Sequence, residues 1–280
     1  MDLDSLNTLL PEFWTDKKCG GKEGLAKQHG MLLAKNLLVK PETLFEQLEH
    51  SYFTFKNFPK IAWSDFLRKA ELAEYLKPEY VTDALGVTTV RPAIGKGEFL
   101  FTSCFANLGF YKGRGDIVDM RSGQVAEFKG IRSTMSGDGK IYKQMNRSLM
   151  FSVFSLFNTS TQFDHFNREC GEELDTLLQS RPNMTPRVLK LLQNISNESG
   201  KIANEFAQLY SIKQNIFDVV GAMQLYIYMK IQNTSFLLMT NDQGFCCFEC
   251  PKSPIDAYNI IKSIKLSSWD TGNRAMTIGV

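Results

Sequence analysis

The sequence predicts a mixed α/β protein in which a small mixed sheet is flanked by helices. Apolar residues recur at helical spacing in several segments. Two pairs of short strand-like runs each flank a turn sequence, as the strands of a β-hairpin do. Helical segments and hairpins alternate along the chain, which favours a sheet covered by helices. The composition agrees, because 280 residues with 43% apolar and 22% charged residues can build a core and exclude a disordered chain.

Residues 1–90 are predicted to form an N-terminal helical region. Apolar residues recur there at helical spacing, first at Leu25, Leu32, Leu33 and Leu37, and then, after a Ser64 cap, at Phe66, Ala70, Ala73 and Leu76. Residues 91–140 follow as a second segment. They comprise a helix over 96–108 that ends at Gly109, two strand-like runs (115–121 and 124–131) around the turn Ser122-Gly123, and a polar loop.

The remaining chain is predicted to form two further segments, 141–214 and 215–280. Residues 141–214 are helical, with an interruption at Arg181-Pro182-Asn183. Residues 215–280 comprise a helix over 215–231, strands over 235–240 and 245–249 joined by the turn Asn241-Asp242-Gln243-Gly244, and a last helix from Pro254 through Ile264.

Composition excludes several classes of protein. The formal net charge is +2, so overall charge does not indicate a polyanionic partner. No run of 18 uncharged apolar residues predicts a membrane span, and the acidic N-terminus lacks the basic start of a signal peptide. Six cysteines are too few for a disulfide scaffold, so we expect reduced thiols in a cytoplasmic protein with no membrane partner. There is no Walker A motif, and three histidines make a His-built zinc site improbable.

Asp116, Glu127 and Lys129 are predicted to converge on one patch of the sheet. Glu127 and Lys129 lie two apart in a strand-like run and therefore share a face. If Ser122-Gly123 is a two-residue turn, the register sets Asp116 opposite Lys129. Two neighbouring carboxylates repel unless a cation lies between them, and Mg²⁺ prefers oxygen ligands. The pattern thus favours a divalent cation site beside a lysine; a surface salt bridge is the alternative.

These residues carry a resemblance to a known family. The segments Gly113-Arg114-Gly115-Asp116-Ile117-Val118-Asp119 and Val125-Ala126-Glu127-Phe128-Lys129-Gly130 resemble the core of the PD-(D/E)xK nuclease superfamily, with Gly115 where the family name has proline. Gly97-Glu98 matches an early helical position where many members carry a metal-binding glutamate. The run from Gln224 to Tyr228 resembles the Gln-x-x-x-Tyr motif of RecB-type and lambda-exonuclease-type nucleases. The resemblance implies a restriction-endonuclease-like core, with residues 141–214 as a helical insertion into it. If this stretch is not an insertion, Gln144 is the alternative to Gln224 as the glutamine of the helical motif.

The resemblance implies a Mg²⁺-dependent nuclease that hydrolyses DNA phosphodiester bonds. Asp116, Glu127 and the Phe128 carbonyl would hold Mg²⁺, for which Mn²⁺ could substitute. Glu98 would hold the same or a second ion, and Lys129 would help to activate the attacking water. Gln224 and Tyr228 would position the DNA strand or the lysine.

Local charge favours a phosphate-bearing partner. Between Lys112 and Arg147 the sequence contains eight bases and four acids, a positive excess in a nearly neutral chain. Four of these bases are predicted to contact DNA phosphates: Arg114, Arg132, Lys140 and Lys143. A solvated charged loop is the alternative.

Two rival functions stay open. One is a catalytically silent protein with the nuclease fold that binds nucleic acid or serves in an assembly; the other is a sequence-specific restriction endonuclease. Exonuclease and endonuclease are not separated, although the Gln-x-x-x-Tyr motif favours the exonuclease branch. A homo-oligomer or a larger nucleoprotein assembly is also left open. The composition, rich in Asn, Phe and Lys, is typical of a bacteriophage or bacterial protein.

Overall fold

The computed structural model describes residues 25–87, 97–111, 113, 115–130, 133–134, 165–180, 186, 200–264, 266–270 and 275–278. Its helices are α1 (Leu25–Asn36), α2 (Pro41–His50), α3 (Phe66–Lys69), α4 (Glu79–Leu85), α5 (Glu98–Cys104), α6 (Arg168–Ser180), α7 (Gly200–Lys213), α8 (Ile216–Gln232) and α9 (Pro254–Ser263). Its strands are β1 (Phe58–Ala62), β2 (Leu108–Phe110), β3 (Ile117–Asp119), β4 (Val125–Lys129), β5 (Ser133–Thr134), β6 (His165–Asn167), β7 (Phe236–Thr240), β8 (Gly244–Glu249), β9 (Leu266–Asp270) and β10 (Ala275–Ile278).

The chain forms two compact units, each built from two stretches of sequence. The first unit comprises residues 1–130 and 233–249, and the second comprises residues 131–232 and 250–280. The first unit contains a six-stranded sheet with the order β1-β8-β7-β4-β3-β2. The β4–β7 pair is parallel and the other pairs are antiparallel. A mixed sheet accompanied by helices is thereby confirmed.

One face of this sheet forms the core of the first unit. It contributes Phe110, Ile117, Ala126, Phe128 and Leu238, which are buried in a single apolar cluster with side chains of α2 to α5. The Phe101 ring of α5 lies 5.4 Å from the Phe128 ring and 5.0 Å from the Phe245 ring, in edge-to-face geometry. Such aromatic pairs contribute about 0.5–1.5 kcal/mol each beyond their burial. The alternation of side chains along a strand sends Glu127 and Lys129 to the other face.

The second unit contains an antiparallel sheet with the order β5-β10-β9-β6 and the helices α6 to α9. The predicted helix over 215–231 is confirmed as α8, and the predicted last helix is confirmed as α9. The start of α9 is fixed by a capping box, because Ser253 Oγ accepts from the Asp256 N–H at 3.3 Å and Asp256 Oδ2 accepts from the Ser253 N–H at 2.9 Å.

Several sequence-based assignments are wrong. Residues 58–62 form the edge strand β1 within a region predicted to be helical; Pro59 is compatible with a strand at the sheet edge, where a missing backbone donor is tolerated. Ser64 lies inside a short 3₁₀ turn, and α3 ends after one turn instead of continuing to Leu76. Gly109 does not stop a helix but lies within β2.

Within the described part of the stretch predicted to be helical over 141–214, the strand β6 precedes the helices α6 and α7. Residues 141–164, 181–185 and 187–199, including the predicted interruption at 181–183, lie outside the described residues. None of the helices in the described ranges is long and apolar enough to cross a membrane.

Candidate metal and nuclease site

Asp116 lies immediately before β3, against the middle of β4. Its backbone N–H donates to the Ala126 carbonyl at 3.0 Å, and its Oδ2 accepts from the Phe128 N–H at 2.7 Å. The preceding Gly115 has a φ of 101°, a conformation that favours glycine, and a Cβ there would lie 2.5 Å from a methyl group of Val125. The structure therefore brings Asp116 to the two peptide groups that flank Glu127.

The pairing of β3 with β4 differs by two residues from the predicted register. Ile117 pairs with Ala126 and Val118 with Val125, so the pairing does not set Asp116 opposite Lys129. It places Asp116 at the level of Glu127 instead. A shift of two residues keeps every side chain on its face, whereas a shift of one would have reversed them.

The register shift has a clear cause in the turn between the strands. The turn spans residues 120–123, not the two residues Ser122-Gly123, because the Asp119 N–H donates to the Gln124 carbonyl at 2.8 Å. Asp119 Oδ1 accepts from the Arg121 N–H at 2.9 Å and Oδ2 accepts from Ser122 Oγ at 2.8 Å. Burial raises the pKa of Asp119, but hydrogen bonds from Arg121, Asn107 and Ser122 outweigh it and hold the pKa below its usual value. Asp119 is therefore a turn-forming residue.

Glu127 and Lys129 form a buried ion pair on the face of β4 that points away from the core of the first unit. Lys129 Nζ lies 2.5 Å from Glu127 Oε1, and the two side chains are 14% and 5% exposed, respectively. Their backbones pair with Leu237 and Met239 of the parallel strand β7. Within a buried ion pair, each charge offsets part of the cost of removing the other from water.

The start of α5 lies against the Phe128 ring. Glu98 was predicted to lie early on this helix; it is the first residue of α5, and it is buried. It follows Gly97, which has a φ of 95° and whose added Cβ would lie 2.8 Å from the Phe128 ring. The Phe128 ring thus contacts the turn that begins α5, and the structure places Glu98 at this end of the helix beside β4.

Gln224 and Tyr228 lie on α8 in the second unit. They are four residues apart on one helix, as the Gln-x-x-x-Tyr pattern requires, and Tyr228 is buried. The role that the resemblance gives them stays a prediction, because Asp116 belongs to the first unit. The four predicted DNA-contacting bases, Arg114, Arg132, Lys140 and Lys143, and the rival Gln144 lie outside the described residues.

The two carboxylates and the Phe128 carbonyl have the chemistry that Mg²⁺ requires. Within the described ranges, no group of three or more His, Cys, Asp or Glu side chains lies together as a metal site. Mg²⁺ typically needs fewer, because it keeps several waters and binds through one or two carboxylates together with substrate phosphates. Asp116 and Glu127 fit this type of binding, in which Mg²⁺ would compete with Lys129 for Glu127.

Sequence reasoning did not single out Tyr111, which follows β2 directly. Its N–H donates to the Asp116 carbonyl at 3.0 Å, and its side chain is 42% exposed. An aromatic residue within five positions of the Asp116 motif, between the apolar run of β2 and a Gly-rich loop, was the signal in the sequence.

A second polar cluster lies in the second unit, around the start of α8. Asp218 is fully buried and forms ion pairs with Arg168 at 3.1 Å and Lys262 at 3.2 Å. Asp175 accepts from the Ile216 N–H at 3.1 Å, yet burial raises the pKa of Asp175 to about 6. These hydrogen bonds and ion pairs hold the N-terminal end of α8 in place.

Comparisons with protein-family models, curated proteins and solved structures find no match for this chain. The geometry around Asp116 and the sequence motif are therefore the grounds for assigning a function.

Proposed function

We propose that this protein is a Mg²⁺-dependent nuclease that hydrolyses DNA phosphodiester bonds with a PD-(D/E)xK type of site. One observation carries the proposal. The Asp116 carboxylate accepts from the backbone N–H of Phe128, and Phe128 stands between Glu127 and Lys129 on β4. The three residues of the sequence motif thus occupy adjoining backbone, with Glu127 and Lys129 in direct contact.

Each residue has a chemical role in this proposal. Asp116, Glu127 and the Phe128 carbonyl would hold Mg²⁺, and Glu98 would hold the same or a second ion. Bound Mg²⁺ supplies polarisation of a phosphoryl oxygen and lowers the pKa of a coordinated water. Lys129, as a fixed ammonium, would orient the attacking water and offset the negative charge that develops in the transition state.

By the same resemblance, Gln224 and Tyr228 of α8 would position the DNA strand or Lys129. Gln224→Ala should lower the cleavage rate, whereas Gln144→Ala should not. If only Gln144→Ala lowers the rate, Gln144 is the glutamine of the helical motif. If neither variant lowers the rate, the mechanism does not use this motif.

The test is cleavage of DNA by the full-length protein with Mg²⁺, Mn²⁺ or EDTA. We expect degradation with either metal and none with EDTA. Asp116→Asn and Glu127→Gln should each lower the rate by more than about 100-fold. The Asn side chain can still accept from the Phe128 N–H, so the fold is kept. Asp65→Asn, which changes an exposed acid paired with Arg68, is the matched control and should cleave at the wild-type rate.

The form of DNA that the protein cleaves shows whether it is an exonuclease or an endonuclease. Activity on linear DNA with none on closed circles indicates an exonuclease, and cleavage of both indicates an endonuclease. Wild-type activity in Asp116→Asn or Glu127→Gln would overturn the proposed site, and a wild-type protein that leaves both substrates intact would overturn the activity.

One observation favours the catalytically silent alternative. Glu127 and Lys129 already neutralise each other in the described structure, as they would in a protein that uses the pair only to hold its sheet together. Under this alternative the protein binds DNA with the same affinity in Mg²⁺ and in EDTA and does not cleave it. Under the nuclease proposal, Mg²⁺ is required for cleavage.

A further inference from the structure

We propose that Tyr111 stacks on an unpaired base of the DNA strand that enters the Asp116 site, so that the protein prefers single-stranded or frayed DNA. This inference rests on the proposed function, because it assigns the substrate class of the same site. It begins from the position of Tyr111 at the end of β2, which is an outermost strand of the six-stranded sheet.

The strand register places Tyr111 beside the candidate site. β2 pairs with β3 through Phe110 and Ile117, and the next contact along the chain is the hydrogen bond from the Tyr111 N–H to the Asp116 carbonyl. Asp116 in turn bonds to β4 on either side of Glu127. Neighbouring strands lie about 4.8 Å apart, so the Tyr111 backbone is roughly 10 Å from that of Glu127.

Tyr111 faces the same side of the sheet as the ion pair. Phe110 is buried in the core of the first unit together with Phe128. Successive side chains alternate between faces, so Tyr111 points to the face that carries Glu127 and Lys129. Glu127 is buried on that face whereas Tyr111 is 42% exposed, which makes Tyr111 the solvent-facing member of the row.

The Tyr111 ring is supported on one side by the backbone. A Cβ at Gly113 would lie 2.5 Å from Cε1 and 2.8 Å from Cζ of the ring, so the ring lies close against the Gly113 backbone. An aromatic ring with an accessible surface is suited to stacking on a base, which needs little sequence information because every base has a π-face.

The sequence contains positive charge next to Tyr111 along the chain. Lys112 and Arg114 alternate with glycine between Tyr111 and Asp116. Aromatic residues interleaved with bases are typical of proteins that bind single-stranded nucleic acid, in which cations follow the phosphates and rings stack on bases.

The test measures binding of a fluorescent single-stranded oligonucleotide in EDTA, followed by cleavage in Mg²⁺. Tyr111→Leu should weaken binding by about 5- to 150-fold, the range measured when a stacking side chain is removed. Tyr111→Phe should bind like the wild type. Tyr52→Leu, which changes a tyrosine that is 50% exposed in the same unit, is the matched control and should have no effect.

An oligonucleotide that lacks bases separates stacking from a structural role. Wild-type protein should bind the abasic strand more weakly than the normal one, whereas Tyr111→Leu should bind both equally. Equal losses on both strands would mean that Tyr111 only supports the fold, and unchanged binding by Tyr111→Leu in a protein that cleaves DNA would overturn this inference alone. Absence of both binding and cleavage in the wild type would overturn the proposed function itself.

Discussion

The Glu127–Lys129 ion pair leads to a quantitative prediction for the variant Lys129→Met. The substitution keeps the length of the side chain but removes the Lys129 ammonium from the buried Glu127 carboxylate. Removing one partner of a buried pair costs about 3–5 kcal/mol. Lys129 retains 14% exposure, which favours the lower end, about 3 kcal/mol. For a chain of this size, that corresponds to a decrease in Tm of about 6–12 °C.

An exposed ion pair in the same unit provides the matched control. Lys35 pairs with Asp83 at 2.8 Å, but its side chain is 65% exposed. Lys35→Met should therefore cost no more than about 1 kcal/mol, because solvent screens an exposed pair. The double variant Glu127→Gln/Lys129→Met should regain most of the stability lost by Lys129→Met alone, because the buried carboxylate charge is removed together with the ammonium.

Divalent cations extend the same experiment to the proposed metal site. If Asp116 and Glu127 bind Mg²⁺, saturating Mg²⁺ should stabilise Lys129→Met, by about 2.7 kcal/mol at 100 times the Kd. It should not stabilise the double variant, which lacks the Glu127 carboxylate.

The assay is chemical unfolding at neutral pH, first in EDTA and then in Mg²⁺. With Trp14 and Trp269 replaced by Phe in every variant, Trp63 fluorescence reports on the first unit, because the Trp63 ring is stacked on Phe245 of β8 at 5.0 Å. A loss of less than about 1 kcal/mol in Lys129→Met would show that the Glu127 charge is solvated, and would refute the reasoning from burial.

Two further predictions concern stability alone. The raised pKa of Asp175 means that the folded protein binds this proton more tightly than the unfolded chain, so the contribution is complete below about pH 4 and is lost as the pH rises to about 6. The pKa difference of about 2 corresponds to about 3 kcal/mol, which partial exposure reduces to about 1–2 kcal/mol. Asp175→Asn should remove this loss from the pH profile of unfolding, and an unchanged profile would assign it to another group. Gly97→Ala should destabilise by about 1–3 kcal/mol, because its φ of 95° and the Phe128 ring 2.8 Å from the new Cβ both oppose alanine. A Gly97→Ala protein as stable as the wild type would show that the turn before α5 adapts freely.

Elements with strong local signals could be predicted from the sequence. The apolar residues of α8 extend over 17 residues, and α9 begins with Ser253-Pro254, a cap followed by a proline at the first helical position. The strands β7 and β8 are joined at the predicted turn Asn241-Asp242-Gln243-Gly244, of which Gly244 is the first residue of β8. Asn, Asp and Gly are the residue types that turns favour. Short elements were harder to predict. The strand β1 contains a proline and β2 a glycine, and both residue types usually indicate the end of a helix or strand.

The composition of the candidate site could be predicted, but its register could not. Ser122-Gly123 matches a two-residue turn, whereas the Asp119 carboxylate stabilises a longer one by accepting hydrogen bonds from Arg121 and Ser122. An aspartate before a turn that ends in a left-handed glycine is a local signal for this longer turn. The burial of Glu127 depends on residues distant in sequence, and for this reason no local pattern reported it.

The interlaced connectivity of the two units affects how the protein is made. β4 ends at Lys129, but its parallel neighbour β7 begins only at Phe236, after the chain has passed through most of the second unit. At translation rates of about 5–20 residues per second, the ribosome needs on the order of 5–20 s to bridge that interval. Throughout this delay the nascent chain contains Glu127 and Lys129 on a strand with one open edge. A polypeptide terminated before residue 236 would lack the parallel partner of this strand, so the proposed catalytic pair gains this support only in a product that extends through β7.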